Sequence, residues 1–90
     1  MSLSAAAGIL HVVATPIGNL ADLSPRALST LRGVAAICAE DTRRTRQLLA
    51  HHGVEQSLVA LHEHNESGVA ERLVARLLAG ESLALVSDAG

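Results

Sequence analysis

The residues that could do chemistry lie in four short polar stretches, each of which follows an apolar run. They occupy residues 15–19 (TPIGN), 40–45 (EDTRRT), 62–66 (HEHNE) and 87–90 (SDAG). Carboxylates and imidazoles can accept or donate protons, and guanidinium groups bind phosphate oxygens through paired N–H donors. If the fold brings these stretches together, they offer proton transfer and anion binding at one place.

The first stretch does not match either of the familiar phosphate-binding loops. It has neither the paired glycines of a dinucleotide loop nor the lysine of a nucleoside triphosphate loop. Pro16 fixes one backbone angle, Gly18 is conformationally permissive, and Asn19 tolerates a left-handed conformation. On spacing alone, an ordinary tight turn between a strand and a helix is the favoured interpretation.

The second stretch places two carboxylates, Glu40 and Asp41, at the end of an apolar run and before a helical segment. Asp41 or Thr42 is the predicted N-cap of that helix. The helix then begins with Arg43, Arg44 and Arg46. Basic side chains in a first turn oppose the helix dipole by roughly a few tenths of a kcal/mol each. They therefore indicate either contact with RNA or another phosphate, or an intramolecular cluster of salt bridges.

The third stretch contains two histidines, His62 and His64, at a spacing that would suit a pair of metal ligands. A zinc site needs three or four ligands, however, and the lone Cys38 is distant in the sequence. No metal site is therefore predicted. These polar loop residues, including both histidines, are instead predicted to position a substrate, or Asn65 and Glu66 begin the next helix.

Composition limits the class of protein. Ninety residues suffice for one small domain, and 49% are hydrophobic, but none is Phe, Tyr or Trp. The core must be built from smaller aliphatic side chains, and we expect the domain to depend on contact with a partner surface. A net charge of −2, with Arg as the only basic residue type, excludes nucleic-acid binding through a global basic field. Any RNA contact must be local, and no DNA partner is expected.

Cysteine usage and hydropathy bear on the compartment. The single Cys38 cannot form an internal disulfide. No apolar run reaches the roughly 18 residues that would span a membrane. We therefore expect a reduced, cytoplasmic protein without a membrane partner.

Short runs rich in Val, Ile and Ala alternate with amphipathic segments, which predicts repeated strand–helix units. Strands are predicted at residues 9–14, 34–39, 57–61 and 82–86. Helices are predicted from the Ser24 cap to Gly33, from Asp41 or Thr42 to His51, and over residues 69–78, with Gly53 and Gly80 closing the last two. The positions expected to face the core are Ala27, Leu28, Leu31, Ala35, Leu48, Leu49, Val69, Leu73 and Leu77, with Cys38 as a small buried group.

Such units predict an α/β domain over residues 9–90, with an open, mainly parallel sheet and helices on both faces. Residues 1–8 fall outside it, as a disordered or vector-derived start. The strand-to-helix loops of such a sheet gather at its carboxyl edge, where ligands bind. All four polar stretches are expected to meet there. Because the sequence stops after a strand and the start of a loop, we expect it to be a fragment.

Four longer motifs, in this order and spacing, resemble those of a known family. They are VVATPIGNLADLSPRAL, AEDTRRTRQLL, LHEHNE and LALVSDAG, and they cover nearly all of residues 9–90. They are similar to the N-terminal domain of the small-subunit ribosomal RNA methyltransferase I family, within the tetrapyrrole methylase superfamily. The resemblance implies a homodimer that binds S-adenosylmethionine in a cleft between two α/β domains, the second of which is absent from this chain.

The resemblance also implies a reaction, the transfer of a methyl group to the ribose 2′-hydroxyl of a cytidine in small-subunit rRNA. It implies that the first turn and the last loop line the cofactor cleft, through Pro16, Gly18, Ser87, Asp88, Ala89 and Gly90. Methyl transfer needs alignment of the reacting atoms and a route for the hydroxyl proton. The candidate proton acceptors, among which the sequence does not choose, are Asp41, Glu40, His62 and Glu66. The candidate contacts to rRNA phosphates are Arg43, Arg44 and Arg46.

Two other functions remain as alternatives. A precorrin-type tetrapyrrole methyltransferase predicts a glycine-rich first turn and no arginine cluster, which is the reverse of this sequence. The second alternative is a noncatalytic α/β module that dimerises through its open sheet edge. This function does not explain four polar motifs at one edge. Without a second domain, we expect these ninety residues to fold as a partial sheet with little methyltransferase activity and weak cofactor affinity.

Overall fold

A computed structural model describes residues 7–15, 20–61 and 66–87 of the chain. Its strands are β1 (Leu10–Ala14), β2 (Ala36–Ala39), β3 (Leu58–Ala60) and β4 (Leu83–Ser87). Its α-helices are α1 (Pro25–Gly33), α2 (Thr42–His51) and α3 (Glu66–Leu78), and a short 3-10 helix (Leu20–Asp22) precedes α1. The predicted order of strands and α-helices is confirmed.

The helix boundaries follow from local chemistry that the sequence displays. The Ser24 hydroxyl accepts a hydrogen bond from the backbone N–H of Ala27, at 3.1 Å, and so caps α1. The Asp41 carboxylate caps α2 in the same way, which decides between the two predicted caps. Gly53 and Gly80 have φ angles of +66° and +97°, which glycine adopts without steric cost and which end α2 and α3.

Several predicted boundaries were wrong by a few residues. The strand predicted from residue 34 begins at Ala36, because the chain bends at residues 34 and 35 after leaving α1. Ala35, predicted to lie on the apolar stripe of α1, is exposed and lies beyond the helix. Helix α3 begins at Glu66, three residues before the start that the apolar spacing predicts, because its first turn is polar, and the alternative that Glu66 opens this helix is confirmed. The 3-10 helix was not predicted.

All four strands are parallel and lie in the order β1-β4-β2-β3. The chain moves in one direction across the sheet from β1 to β2 to β3, and then returns to place β4 between β1 and β2. Because crossovers between parallel strands are right-handed, the first two crossovers and the third lie on opposite faces. Helices α1 and α2 therefore cover one face, named here the α1–α2 face, and α3 covers the other, named the α3 face.

The strand register assigns residues to each face. On the α1–α2 face, Val13, Ile37, Ala39, Ala84 and Val86 form one buried cluster with residues of the covering helices, including Leu31 and Leu49. The alternate positions point to the α3 face. There Ala36, Cys38 and Leu83 are fully buried, and the charge of Arg76 in α3 acts on the Cys38 thiol. The expected buried environment of Cys38 is confirmed.

The α3 face is incompletely covered. Its strand residues Leu10 and Val12 are 46% and 69% exposed, and Val74 and Leu78 of α3 are 52% and 70% exposed. Ile9, just before β1, is also exposed. This apolar surface agrees with the expectation, drawn from composition, that the core leans on a partner surface. Within the described ranges, no helix has both the length and the apolar character needed to cross a bilayer.

Candidate functional site

The topology creates a crevice at the carboxyl edge of the sheet. The connection that leaves β2 leads to α2 on one face, and the connection that leaves β3 leads to α3 on the other. Ligands in open α/β sheets bind where neighbouring connections diverge in this way. The predicted gathering of polar segments at this edge is confirmed for those that the structure describes, which are the ends of β2 and β4 and the start of α2.

A cavity of about 210 Å³ occupies this edge. Its walls come from the ends of three strands, and the lining residues are Glu40, Leu61, Leu85, Val86 and Ser87. Continuing the β2–β4 register by one residue pairs Glu40 with Ser87 and directs both to the α3 face. The cavity therefore opens on the less covered side of the sheet, with a carboxylate at its rim and aliphatic side chains in its wall.

The two adjacent carboxylates, Glu40 and Asp41, have different environments. The Asp41 Oδ1 atom accepts a hydrogen bond of 3.0 Å from the backbone N–H of Arg44, so this carboxylate is engaged as the α2 cap. Glu40 is exposed and lines the cavity. Asp41 thus fits the structural role weighed from the sequence, and Glu40 is the described carboxylate that a bound ligand would meet.

Thr15 links the end of β1 to the end of β4. Its backbone N–H donates to the Ser87 carbonyl oxygen at 3.0 Å, and its hydroxyl donates to the same oxygen at 3.2 Å. Thr15 is only 6% exposed. The first residue of the TPIGN stretch and the first residue of the SDAG stretch are therefore held together beside the cavity.

The arginines of α2 differ in their exposure. Arg43 and Arg46 are exposed, whereas Arg44 is half-buried. Among the residues that the structure describes, neither Arg43 nor Arg46 takes part in an ion pair. Arg46 also borders a second, open cavity of about 440 Å³ between α2 and the approach to β3.

The Cys38 thiol lies one residue pair below the cavity, opposite Leu85 on the α3 face. Burial raises the pKa of this thiol, and the positive charge of Arg76 lowers it by a smaller amount. The thiol therefore stays protonated at neutral pH and is a poor nucleophile. It contributes to packing beneath the site and not to its chemistry.

Several predicted site residues lie outside the described ranges. They are Pro16, Gly18, His62, Asp88, Ala89 and Gly90. Glu66 is described as the first residue of α3. Across residues 7–15, 20–61 and 66–87, no three His, Cys, Asp or Glu side chains are grouped so that they could hold a metal ion.

Three residues of the site were not singled out from the sequence. They are Leu61, Leu85 and Val86, which line the cavity, whereas Thr15 belongs to the TPIGN stretch that the sequence already singled out. Leu61 and Leu85 give no signal of their own, because an aliphatic residue in or beside a strand is expected wherever there is a core. Thr15 did carry a signal, since a hydroxyl directly after the apolar run HVVA must find a partner if it is buried.

Comparison with known proteins relates this chain to a family. Residues 9–90 match the family model of the tetrapyrrole (corrin/porphyrin) methylases. The chain is 71% identical over 83 residues to the ribosomal RNA small subunit methyltransferase I of Xylella fastidiosa (strain Temecula1), a match that covers 92% of this chain and 30% of that protein.

Proteins of the same name from other bacteria are also similar. The identity is 58% over 84 residues to that of Pseudomonas aeruginosa, covering 93% of this chain and 30% of that protein. It is 57% over 83 residues to that of Escherichia coli O157:H7, covering 92% of this chain and 29% of that protein. The chain thus spans about 30% of the length of these relatives.

Proposed function

Because the chain belongs to the tetrapyrrole (corrin/porphyrin) methylases, we propose that it contributes to an S-adenosylmethionine-dependent methyltransferase that acts on a cytidine ribose 2′-hydroxyl of small-subunit rRNA. The observation that carries this proposal is the 57–71% identity, over nearly the whole chain, to proteins named for small-subunit rRNA methylation. The further parts of the proposal are a homodimer, a cytoplasmic location and the 30S subunit as substrate.

The cavity at the carboxyl edge fits part of such a cofactor. Its volume of about 210 Å³ is below the roughly 300–1,000 Å³ that is usual for a complete ligand site. Leu61, Leu85 and Val86 offer an apolar wall, and the Glu40 carboxylate offers a favourable charge for a cationic sulfonium. The lining therefore suits one portion of S-adenosylmethionine, with the rest of the contacts coming from outside the described residues.

S-adenosylmethionine supplies an activated methyl group, so the protein must chiefly align the reacting atoms and accept a proton. Glu40 is the described side chain placed to hold that proton, since it lies at the cavity and its carboxylate caps no helix. Asp41 is already hydrogen-bonded as a cap and supports the site indirectly. The roles proposed for His62 and Glu66 remain alternatives to Glu40.

Substrate contact is assigned to the first half of α2. Arg43 and Arg46 are three residues apart, project from adjacent turns of one helix and are exposed. Guanidinium groups can bind rRNA phosphates in bidentate fashion, while the net charge of −2 limits non-specific binding. Replacing Arg43 and Arg46 together in the gene product should weaken rRNA binding and flatten its salt dependence. An unchanged salt slope would show instead that these arginines serve the fold.

The decisive experiment is methyl transfer from isotopically labelled S-adenosylmethionine to 30S subunits that lack the modification, using the complete gene product. The expected result is label on one cytidine ribose of the small-subunit rRNA. In a parallel assay with an added precorrin-type tetrapyrrole, label on the tetrapyrrole and none on 30S subunits would favour the precorrin-type alternative. Absence of cofactor binding by the gene product would favour the noncatalytic module.

The ninety residues alone provide a second measurement. Since their cavity is small and open to the α3 face, we expect weak binding of S-adenosylmethionine by calorimetry. Tight binding by this piece would show that no further part of the protein is needed for the cofactor. Sedimentation of the gene product tests the proposed homodimer separately.

A further inference from the structure

Thr15 is one of two buried polar side chains in the described part of the chain; the other is Thr45 in α2. A buried hydroxyl costs free energy unless it forms a hydrogen bond. The Thr15 hydroxyl donates to the Ser87 carbonyl oxygen at 3.2 Å, across 72 residues of sequence. The position thus joins two distant segments through an atom that valine, its isosteric counterpart, would lack.

This second bond is additional to the normal ladder of the sheet. The backbone N–H of Thr15 already donates to the same Ser87 oxygen at 3.0 Å, as expected when β1 and β4 are parallel neighbours. A valine would keep that ladder bond and would suit the strand equally well. The hydroxyl is therefore not required for strand pairing, and its effect is to fix the orientation of the Ser87 carbonyl with two donors.

Ser87 connects this bond to the site. It is the last residue of β4, it lines the 210 Å³ cavity together with Glu40, and the SDAG stretch begins there. Thr15 does not line the cavity and begins the TPIGN stretch. The bond from the Thr15 hydroxyl therefore connects Thr15 to the cavity lining through Ser87.

We propose that Thr15 is a positioning residue for the methyl donor, whose hydroxyl locks the Ser87 carbonyl and thereby fixes the ends of β1 and β4 relative to each other beside the cavity. This inference rests on the proposed function, because it takes the cavity as part of the donor site. Thr15 does not itself line the cavity. Its loss should weaken donor binding without changing substrate recognition by α2.

The test uses two pairs of variants in the complete gene product, each differing only in the hydroxyl. The first pair is the wild type and Thr15→Val, and the second is Thr15→Ser and Thr15→Ala. The Kd of S-adenosylmethionine, the KM values for donor and for 30S subunits, and the Tm are measured for each. The matched control is Thr45→Val, which makes the same change at a buried threonine that does not line the cavity.

Loss of the hydroxyl should raise the Kd and KM for the donor about 3- to 10-fold, the range that corresponds to one net hydrogen bond. The KM for 30S subunits should stay unchanged, Thr15→Ser should restore donor affinity, and Thr45→Val should not alter it. If Thr15→Val fails to fold, the comparison of Thr15→Ser with Thr15→Ala decides the question.

Two results would overturn the inference. Equal donor affinity within both hydroxyl pairs, in a gene product that binds the donor, would leave the proposed function standing and reduce Thr15 to a packing residue. A gene product that binds no S-adenosylmethionine would refute the proposed function, and the role of Thr15 with it.

Discussion

The two faces of the sheet differ in how they are covered, although the same four strands supply both. Val13 is 7% exposed on the α1–α2 face, whereas its neighbour Val12 is 69% exposed on the α3 face. Two helices close the first face, and one helix leaves part of the second open. The candidate cavity lies on the open side. Along β1, the alternation of side chains thus separates a residue that stabilises the domain, Val13, from one that is available to a partner surface, Val12.

The largest difference should appear in a matched pair of leucine truncations. Leu31 of α1 is 0% exposed and Leu78 of α3 is 70% exposed. Leu31→Ala should lower the free energy of unfolding by about 2–5 kcal/mol, because it removes buried contacts and leaves a cavity. Leu78→Ala should change it by less than about 0.5 kcal/mol. Urea denaturation measures both, and similar losses would mean that the α3 face is sealed in solution, for example by self-association.

Alkaline titration tests how well α3 shields the sheet. The chain has no Lys and no Tyr, so Cys38 is the only side chain that ionises between about pH 8.5 and 11. Burial raises the pKa of this thiol above its ordinary value of 9.0 in the folded state. The thiol therefore loses its proton at a lower pH in the unfolded chain than in the folded protein. The stabilisation that is present below pH 9.0 is lost as the pH rises towards the pKa of the folded-state thiol.

The expected result is a decline in the free energy of unfolding above that pH, with a slope of at most about 1.4 kcal/mol per pH unit. Cys38→Ala should remove the decline while keeping a small apolar group at the position. A wild-type protein whose stability stays flat up to about pH 10.5 would indicate that solvent reaches the thiol beneath α3.

Glu40 and Asp41, which are adjacent in the sequence, allow a comparison of a residue at the cavity with a residue that stabilises the fold. Asp41→Ala should destabilise the fold by about 1 kcal/mol, since it removes the cap of α2, and Asp41→Asn should retain most of the stability. Glu40→Ala should leave stability within about 0.5 kcal/mol, because Glu40 is exposed at the cavity. Thermal unfolding followed by circular dichroism separates them. If Glu40→Ala costs as much as Asp41→Ala, Glu40 belongs to the scaffold.

The smallest expected effect concerns the charge at the start of α2. Arg43→Gln should raise the free energy of unfolding by roughly 0.3 kcal/mol, because the arginine opposes the helix dipole. Arg32→Gln is the control and should lower the free energy of unfolding. Arg32 lies in the last turn of α1, where a positive charge is favourable, and it donates to the His52 carbonyl oxygen. Chemical denaturation in low salt provides the measurement. A destabilised Arg43→Gln protein would point to a structural role for this arginine.

The order of strands and helices along the chain is easier to predict from the residues than the order of strands across the sheet. Caps and helix-ending glycines act within a few residues, so the roles of Ser24, Asp41, Gly53 and Gly80 follow from local sequence. The return of β4 to a position between β1 and β2 depends on packing between distant segments, and no residue spacing encodes it.

The residues of the site also divide into those that the sequence predicts and those that it does not. Glu40 and Ser87 could be predicted from their polar character at strand ends. Leu61 and Leu85 could not, because nothing in their type distinguishes a cavity wall from a core. Residue type already separates Asp41 from Glu40, because Asp is a favoured N-cap and Glu is not, and the hydrogen bond at the start of α2 shows that Asp41 is the engaged carboxylate.

Gln56 lies just before β3 and is hydrogen-bonded to the end of α1. Strand β2 and helix α2 separate these two segments in the sequence. Its side-chain amide donates to the carbonyl oxygens of Leu31, Arg32 and Val34 at 3.1, 3.0 and 2.7 Å. The chain leaves α1 without a glycine turn, because Val34 is extended. The hydrogen bonds of these carbonyl oxygens therefore come from the Gln56 amide. The last turn of α1 and the segment that enters β3 should therefore open in a single local unfolding event and exchange their amide hydrogens together.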